Sequence, residues 1–313
     1  MSKLNAPHLL NEEAAYAWLE ARVWPEGPVC PHCKGNERIS KMKGKTTRFG
    51  LYKCYACRKP FTVKVGTVFE SSHVKLHIWL QAIHLLCSSK KGISSNQLHR
   101  TLDVTLKTAW FMSHRIREAM RDGDLAPMGG AGGIVEADET YYGPRDTVTT
   151  RTKKGKPGHA SKRSIVALVE RGGSVRSFHV ERATKAEVTG ILKENIGREA
   201  RLYTDESKLY GDAAPLVASH DAVRHASGEY VRGPKGPDRI HTNSVEGYFS
   251  IFKRGMKGIY QHCSEKHLHR YLAEYDFRYS NRVALGVNDE ARADRAMRGI
   301  VGKRLTYRTA SGG

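Results

Sequence analysis

Hydrophobic residues recur at helical spacing in the first part of the chain and in short continuous or alternating runs in the second part. Residues 8–24 place apolar side chains near helical spacing and predict a short amphipathic helix. Residues 74–122 carry further segments of this kind and are predicted to be entirely helical. From Ile134 onwards, runs rich in valine and isoleucine alternate with a helical segment, which is typical of an α/β domain.

The strands of the second part are predicted where β-branched and aromatic residues form runs bounded by glycine or charged residues. A long helix is predicted to begin near Asn243. The run Gly-Gly-Ala-Gly-Gly at residues 129–133 is the clearest boundary between the two parts. The predicted strands are Ile134–Asp138, Ser164–Glu170, Val175–Glu181, Ala200–Asp205 and Ala222–His225, and a helix is predicted at Lys185–Asn195.

The charge balance of the 313-residue chain is strongly basic. Lysine and arginine total 52, against 32 aspartate and glutamate residues, so the formal net charge is +20. Such an excess favours a polyanionic partner, and nucleic acid is the expected one. No apolar run approaches the roughly 20 residues that span a bilayer, and the N-terminal residues lack the apolar stretch of a signal peptide. We therefore expect a cytoplasmic protein without a membrane partner and with reduced cysteines.

Four of the six cysteines form two Cys-x-x-Cys pairs with twenty residues between them. In a reduced protein this spacing predicts a zinc site, because two such turns supply the four thiolates of a tetrahedron. Four cysteine ligands leave no open position, so we expect a structural zinc that does not catalyse. Gly35 is expected to turn the chain away from the first pair. The predicted ligands of Zn²⁺ are Cys30, Cys33, Cys54 and Cys57.

A helix-turn-helix is predicted within residues 74–122, where two helices are joined by a short turn. Ser94 or Ser95 is expected to cap the first of them, and Thr105 the second. The second helix carries basic residues suited to DNA contacts, namely Lys107, His114 and Arg115. A plain three-helix bundle with a solvated basic face explains the same pattern, and the sequence leaves that alternative open.

Three acidic residues stand where two predicted strands end and where the long helix begins. These are Asp138, Asp205 and Glu246. Carboxylates in such places can converge on a pair of divalent ions, which clamp the attacking and leaving oxygens of a phosphodiester displacement. Each acid also has an ordinary interpretation. The aspartates can end strands at turns, and Glu246 can pair with Asn243 in capping the helix.

The long helix is predicted to carry an apolar stripe and a separate polar stripe. The apolar stripe comprises Val245, Tyr248, Phe249, Phe252, Met256 and Ile259. The polar stripe comprises Glu246, Ser250, Lys253 and Lys257. On this arrangement Glu246 can face metal ions while Lys253 and Lys257 face the phosphate backbone of DNA.

Taken together, the motifs resemble the zinc-ribbon DDE transposases of bacterial insertion sequences, relatives of the eukaryotic Merlin elements. The resemblance rests on CPHC…CYAC, the helix-turn-helix, VEADETYYG, LYTDES and HTNSVEGYFSIFKRG, between residues 28 and 280. It implies an RNase H-like core with Asp138, Asp205 and Glu246 as the catalytic triad, holding Mg²⁺ or Mn²⁺. It also implies a basic residue seven positions after the last acid, where Lys253 stands. Some relatives have asparagine as the third residue, so Asn243 is the alternative to Glu246.

A basic segment lies between the first and second predicted strands of the core, at residues 143–163, with Lys153, Lys154 and Lys156 at its centre. Such runs are usually solvated hairpin tips. We expect this one to become ordered on DNA phosphates.

The predicted function is that of a DNA transposase. It would bind the terminal inverted repeats of an element, cleave the element's ends and join the 3′ ends to double-stranded target DNA, as a homodimer or a larger assembly. Two alternatives are open: a zinc-ribbon and helix-turn-helix regulator without catalysis, and an RNase H-like nuclease without strand transfer. Inverted repeats just outside the reading frame, flanked by short direct repeats, would favour transposition over both.

The expected architecture is multidomain, with a zinc ribbon, an all-α helix-turn-helix segment and an α/β RNase H-like catalytic core. The expected boundaries are an N-terminal helix at 1–27, the zinc ribbon at 28–66, the helix-turn-helix at 74–122, a glycine-rich linker at 123–133, the core at 134–285 and a C-terminal tail at 286–313.

Overall fold

The computed structural model describes residues 3–121, 123, 125–145 and 162–306. The chain divides into two compact units. The first comprises Met1–Arg121 together with Asn288–Gly313, and the second comprises Asp122–Val287. The residues expected to form a C-terminal tail therefore return, from Asn288 onwards, to the first unit.

The helix predicted at residues 8–24 is interrupted. Helix α1 spans Pro7–Leu10 and helix α2 spans Glu12–Val23. Between them, Asn11 has extended backbone angles, and its side chain accepts a hydrogen bond from the N–H of Ala14 at 3.0 Å. An N-cap residue cannot itself be helical, so the asparagine that starts α2 also ends α1.

A small antiparallel sheet carries the cysteine pairs of the first unit. Within the described residues it contains β1 (Ile39–Lys41), β2 (Tyr52–Cys54) and β3 (Pro60–Phe61) in that order. The rings of Trp24 lie edge-on to Tyr52 and Phe61, with centroids 5.4 and 5.7 Å away. Such a small apolar core needs an additional staple to be stable.

The helical part of the first unit packs around the buried face of α3. Its helices are α3 (Leu76–Ser88), α4 (Ser95–Leu102), α5 (Leu106–Ala119) and α9 (Asp289–Arg298). The Glu12 carboxylate accepts hydrogen bonds from the N–H groups of Leu76 and His77 at 2.8 and 3.1 Å, which satisfies the start of α3. In α9, Arg292 donates to the carbonyl of Cys87 at 2.7 Å and so ties the C-terminal helix to α3.

The described part of the second unit contains five strands and three helices. The strands are β4 (Ile134–Pro144), β5 (Lys162–Glu170), β6 (Val175–Val180), β7 (Arg201–Asp205) and β8 (Ser219–Val223), with helices α6 (Lys185–Asn195), α7 (Asn243–Gly255) and α8 (Leu268–Ser280). The strands form one mixed sheet of order β6-β5-β4-β7-β8. The pairs β4–β5 and β5–β6 are antiparallel, whereas β4–β7 and β7–β8 are parallel. This is the strand arrangement of the RNase H-like fold.

The two faces of this sheet bury different helices. Val135 and Ala137 belong to a buried cluster with residues of α6, whereas Ile165 and Ala167 belong to a cluster with residues of α7 and α8. Because side chains alternate along a strand, Glu136 and Asp138 of β4 project toward the face covered by α7 and α8. Among the described residues, no helix is both long and apolar enough to span a bilayer.

Candidate functional site

The two strands that carry the predicted aspartates are parallel neighbours. Glu136 lies opposite Tyr203 in the register of β4 and β7. Two residues further along each strand stand Asp138 and Asp205, on the same face. Asp138 was expected to end its strand, but β4 continues to Pro144; it is the pairing with β7 that stops before Asp138. The end of β7 thus opens the edge of the sheet at which the two carboxylates meet.

The structure adds a third carboxylate that the motif did not predict. Single oxygens of Asp138, Glu139 and Asp205 all lie within 4.8 Å of one another, and we call these residues the carboxylate cluster. Glu139 is held by the hydroxyls of Tyr210 and Ser207, which donate to it at 3.1 and 3.4 Å. Alternation along the strand would separate Glu139 from Asp138, so the sequence did not link them. The adjacent acid itself was the available signal.

Like charge and burial perturb the carboxylate cluster. Burial raises the pKa of Asp138 to about 8, and the charges of Glu139, Asp205 and Glu246 add to the effect. Burial also raises the pKa of Glu139 and of Asp205. Among the described residues, no lysine or arginine forms an ion pair with any of the three. A partly buried group of hard oxygen donors that forms no ion pair with the described lysines and arginines fits a divalent cation such as Mg²⁺ or Mn²⁺.

Glu246 stands beside the carboxylate cluster and is not one of its members. Its side chain is 46% exposed, its carboxylate accepts a hydrogen bond from the Thr242 hydroxyl at 2.8 Å, and the His225 ring lies 3.8 Å away. Its charge nevertheless reaches Asp138, whose pKa it helps to raise. Asn243 is the exposed first residue of α7; the N-cap position belongs to Thr242. The alternative interpretation of Asn243 and Glu246 as a capping pair is therefore not supported.

A buried glutamate connects the strand of Asp138 to the start of α7. One oxygen of Glu136, which is fully buried, accepts hydrogen bonds from the N–H groups of Ser244 and Val245 at 2.7 and 3.1 Å. Its other oxygen accepts from the Ser244 hydroxyl at 2.9 Å and from Arg171 Nε at 2.6 Å. Arg171 also donates to the carbonyls of Pro237, Arg239 and His241. Glu136 thus supplies the cap that Thr242 does not give α7.

Helix α7 and the π-helical turn that follows it, Met256–Tyr260, carry the two stripes expected from the sequence. The side chains of Val245, Tyr248, Phe249, Phe252 and Met256 are buried, while Ile259 is partly exposed. The four polar residues, Glu246, Ser250, Lys253 and Lys257, are all exposed. The last two lysines therefore follow Glu246 along one accessible surface.

The two cysteine pairs come together as expected. Sulfurs of all four cysteines lie within 4.8 Å of one another, and the Sγ–Sγ distances are 3.6 Å for Cys30–Cys57 and for Cys33–Cys54. Sulfurs at about 2.3 Å from one zinc would stand about 3.8 Å apart at tetrahedral angles, so the cluster fits this ion. Each pair closes alike, since the N–H of its first cysteine donates to the carbonyl five residues on.

The turn after the first cysteine pair does not depend on Gly35, contrary to expectation. The residues with positive φ are Lys34 and Arg58, at +64° and +62°, each directly after the second cysteine of its pair. Gly35 instead lies against a ligand, because a Cβ atom at that position would stand 3.7 Å from Cys33 Sγ.

The predicted caps of the helix-turn-helix are present, but two of its three basic candidates are not accessible. The hydroxyls of Ser94 and Thr105, which precede α4 and α5, accept hydrogen bonds from the N–H groups of Gln97 and Thr108, the third residue of each helix. Lys107 is exposed in the first turn of α5. His114 is fully buried, and Arg115 is 5% exposed.

Arg115 is engaged inside the first unit. It donates to the carbonyls of Val68 and Glu70 at 2.9 and 2.8 Å and to the carbonyl of Leu305 at 3.0 Å. The prediction that His114 and Arg115 contact DNA was therefore wrong, because the second half of α5 is covered by other parts of the first unit. The accessible basic residue lies at the N-terminal end of α5, the end that a recognition helix presents to base edges.

The three lysines at the centre of the basic segment, Lys153, Lys154 and Lys156, lie outside the described residues. On its described flanks, Arg145 forms an ion pair with Glu181 at 3.2 Å, and Arg163 donates to the carbonyl of Cys263.

Comparison with known proteins identifies the class of both parts. Residues 130–280 match the ISXO2-like transposase domain, and residues 10–60 match the transposase zinc-ribbon domain. The chain thus has the two domains of a zinc-ribbon DDE transposase. In both domains the chain is similar to the insertion-sequence transposases of this type.

The chain is also similar to individual proteins. A protein of transposable element ISH50 from Halobacterium salinarum is 28% identical over 281 residues, which cover 86% of this chain and 91% of that protein. Among solved structures, a pre-cleavage Mos1 transpososome and a Mos1 strand transfer complex align with 70% of this chain and 73% of theirs. Both are 12% identical to it, with TM-scores of 0.27 and 0.28.

The raised pKa of Asp138 predicts a specific pH dependence of stability. A carboxyl whose folded pKa exceeds its unfolded value stabilises the fold at low pH, and this contribution is lost as the pH rises through about 8. In buffer free of divalent cations, the melting temperature of the wild type should therefore fall relative to Asp138→Asn as the pH is raised from about 5 to about 9. Added Mg²⁺ should reduce that difference. If the melting temperatures of the wild type and of Asp138→Asn change in parallel with pH in the absence of Mg²⁺, the raised pKa of Asp138 would be contradicted.

The cysteine cluster predicts one zinc ion per chain. Cys54→Ser and Cys57→Ser should each lose the metal and unfold the small sheet, while the second unit keeps its structure because it supplies none of the ligands. Metal analysis and limited proteolysis check both expectations. Cys263→Ser serves as the control, since Cys263 lies outside the cluster. Zinc retained at full stoichiometry in both ligand variants would refute the site.

Proposed function

We propose that this protein is a DNA transposase that cuts the ends of its element and joins them to target DNA. The observation that carries the proposal is the carboxylate cluster on the opened edge of an RNase H-like sheet. Among the described residues, its like charges form no ion pair with lysine or arginine, although the nearby His225 offsets part of the rise in the pKa of Asp205. A divalent metal site is the simplest reason for a protein to keep such a cluster.

Asp138, Asp205 and Glu246 are proposed as the residues that hold the metal ions. Glu139 is close enough to supply a further oxygen or to orient its neighbours. When bound, divalent cations would supply Lewis acidity at the scissile phosphate and activate the attacking oxygen. Burial of Asp138 limits access of bulk water and strengthens the electrostatic interactions of the site. Asn243 is the alternative third residue; the charge of Glu246, which reaches Asp138, favours Glu246.

Contacts to DNA are proposed for the accessible basic residues. Lys253 and Lys257 continue the stripe of Glu246 and would contact phosphates beside the site of cleavage. Lys107, at the start of α5, would approach a groove of the terminal inverted repeat. Lys153, Lys154 and Lys156 remain candidates from their charge alone. A structural zinc ion would hold the small sheet of the first unit.

One further property is proposed from the chemistry of transposition. Two element ends must be cut and joined together, so the protein is proposed to act on DNA as a homodimer or a larger assembly. The rival functions, a regulator without catalysis and a nuclease without strand transfer, differ from this proposal in what they do to a DNA end. The regulator has no use for a crowded carboxylate cluster.

Substitution of the proposed triad should separate catalysis from DNA binding. Asp138→Asn, Asp205→Asn and Glu246→Gln keep side-chain volume but remove the charge that holds metal, so each should abolish cleavage and strand transfer in Mg²⁺. Binding to terminal DNA should survive. Cleavage and joining are scored separately on labelled element ends with a target plasmid.

The matched control is Glu206→Gln. Glu206 follows Asp205 but lies outside the carboxylate cluster, and glutamine can still accept the hydrogen bond from the N–H of Ala226. Full cleavage by all three triad variants would exclude the proposed enzyme. Full cleavage by Glu246→Gln with none by Asn243→Ala would transfer the third role to Asn243. Cleavage without joining in the wild type would favour the nuclease.

The lysines after Glu246 predict a salt effect. Lys253→Ala and Lys257→Ala should each weaken DNA binding and reduce the slope of log K against log salt by roughly one. The triple alanine variant of Lys153, Lys154 and Lys156 should have a larger effect of the same kind. Lys193→Ala is the control, because Lys193 is exposed on α6, on the opposite face of the sheet. A slope that changes as much in the control as in the α7 variants would count against the proposed contacts.

A further inference from the structure

We propose that Glu136 and Arg171 are positioning residues, which fix Glu246 beside Asp138 and so set the affinity of the site for divalent metal. The proposal rests on the proposed function, because it takes Glu246 as a metal ligand. It assigns a role to two residues that lie outside the triad motif, and that role is mechanical: neither side chain needs to touch metal or DNA.

Glu136 connects the strand of Asp138 to the helix of Glu246. It lies two residues before Asp138 on the same face of β4, at a position that is fully buried. Its carboxylate accepts the N–H groups of Ser244 and Val245, the second and third residues of α7. Glu246 is the next residue of that helix. One side chain therefore joins the strand of Asp138 to the turn of helix that carries Glu246.

The hydrogen bonds of the Glu136 carboxylate make this connection strong and fix its direction. Hydrogen bonds to an ionised carboxylate are shorter and stronger than neutral ones. A negative charge at a helix N-terminus is also favoured by the helix dipole. Both oxygens of Glu136 accept hydrogen bonds. One accepts from the N–H of Ser244, and the other accepts from the Ser244 hydroxyl and from Arg171, so the carboxylate cannot rotate without breaking contacts.

Arg171 holds the segment that leads into α7. Its guanidinium donates to Glu136 and to three carbonyls of residues 237–241, the segment that leads into α7. The group lies 5.0 Å from the centre of the Tyr203 ring, whose hydroxyl donates to the carbonyl of Asp238 at 3.1 Å. Arg171 thus fixes the approach of the chain to α7, while Glu136 fixes its first turn.

A second buried ion pair in the same unit provides a comparison. Glu274 and Arg278 are both buried in α8, and their pair lies within that one helix. Glu274 also accepts a hydrogen bond from the Tyr260 hydroxyl at 2.5 Å, which ties α8 to residues after the C-terminal end of α7 and not to the first turn that carries Glu246. If the Glu136–Arg171 pair only stabilises the fold, removing the charge of Glu136 should change Mn²⁺ affinity no more than removing the charge of Glu274.

The test measures Mn²⁺ binding to the full-length, zinc-loaded protein by titration calorimetry, without DNA. Glu136→Gln keeps one acceptor for α7 but turns an amide toward Arg171. Its affinity for Mn²⁺ should fall roughly tenfold, the usual effect of losing a residue that orients a metal ligand. The Mn²⁺ affinity of Glu246→Gln should fall at least as far. The double variant should bind no more weakly than Glu246→Gln, because Glu136 acts through Glu246.

The control is Glu274→Gln, whose melting temperature should fall without a change in Mn²⁺ affinity. Wild-type affinity in Glu136→Gln, or an equal loss in Glu136→Gln and Glu274→Gln, would overturn the positioning role while leaving Glu246 in place. Unchanged affinity in Glu246→Gln would contradict the proposed function as well. Should Glu136→Gln not fold, Arg171→Lys replaces it. Lysine cannot span the three carbonyls, so the same loss of affinity is expected, and wild-type affinity would refute the proposal.

Discussion

Repulsion among carboxylates is the constraint on which the second unit depends. Asp138, Glu139 and Asp205 bring like charges within 4.8 Å of one another, where burial already disfavours ionisation. Such a cluster is stable only if it keeps a proton or binds a cation, and the pKa of about 8 for Asp138 expresses that choice. The unit is built to withstand this repulsion, and divalent metal would relieve it.

The sheet resists the repulsion through its two apolar faces and through buried polar contacts. Clusters packed on α6 and on α7 and α8 hold β4 from both sides. Tyr210 and Ser207 hold Glu139 from one face, while Glu136 fixes the start of α7 on the other. The acids can thus be crowded because their backbones are fixed independently of them. The first unit is organised on other grounds, around its four cysteines and the buried face of α3.

Much of the fold was predictable because short β-branched runs and one amphipathic helix are local properties. Four predicted core strands, from Ile134–Asp138 to Ala200–Asp205, are present, and α6 has the predicted bounds. The strand predicted at Ala222–His225 lies earlier, at Ser219–Val223, because a 3₁₀ turn begins at His225. What local pattern could not reveal were contacts between distant segments. The burial of Arg115 depends on Val68, Glu70 and Leu305, far away in sequence. Glu136 resembled an ordinary strand residue until α7 was placed beside it, and Glu139 joins Asp138 only because β7 ends where it does.

The carboxylate cluster and Glu246 are proposed to bind the divalent metal used on DNA. The most direct measurement is anomalous scattering from crystals of the protein with terminal DNA and Mn²⁺. Mn²⁺ is expected between Asp138 and Asp205, within coordination distance of both, and in contact with a phosphate of the bound end. Mn²⁺ bound elsewhere, with these carboxylates protonated or paired with basic side chains, would contradict it.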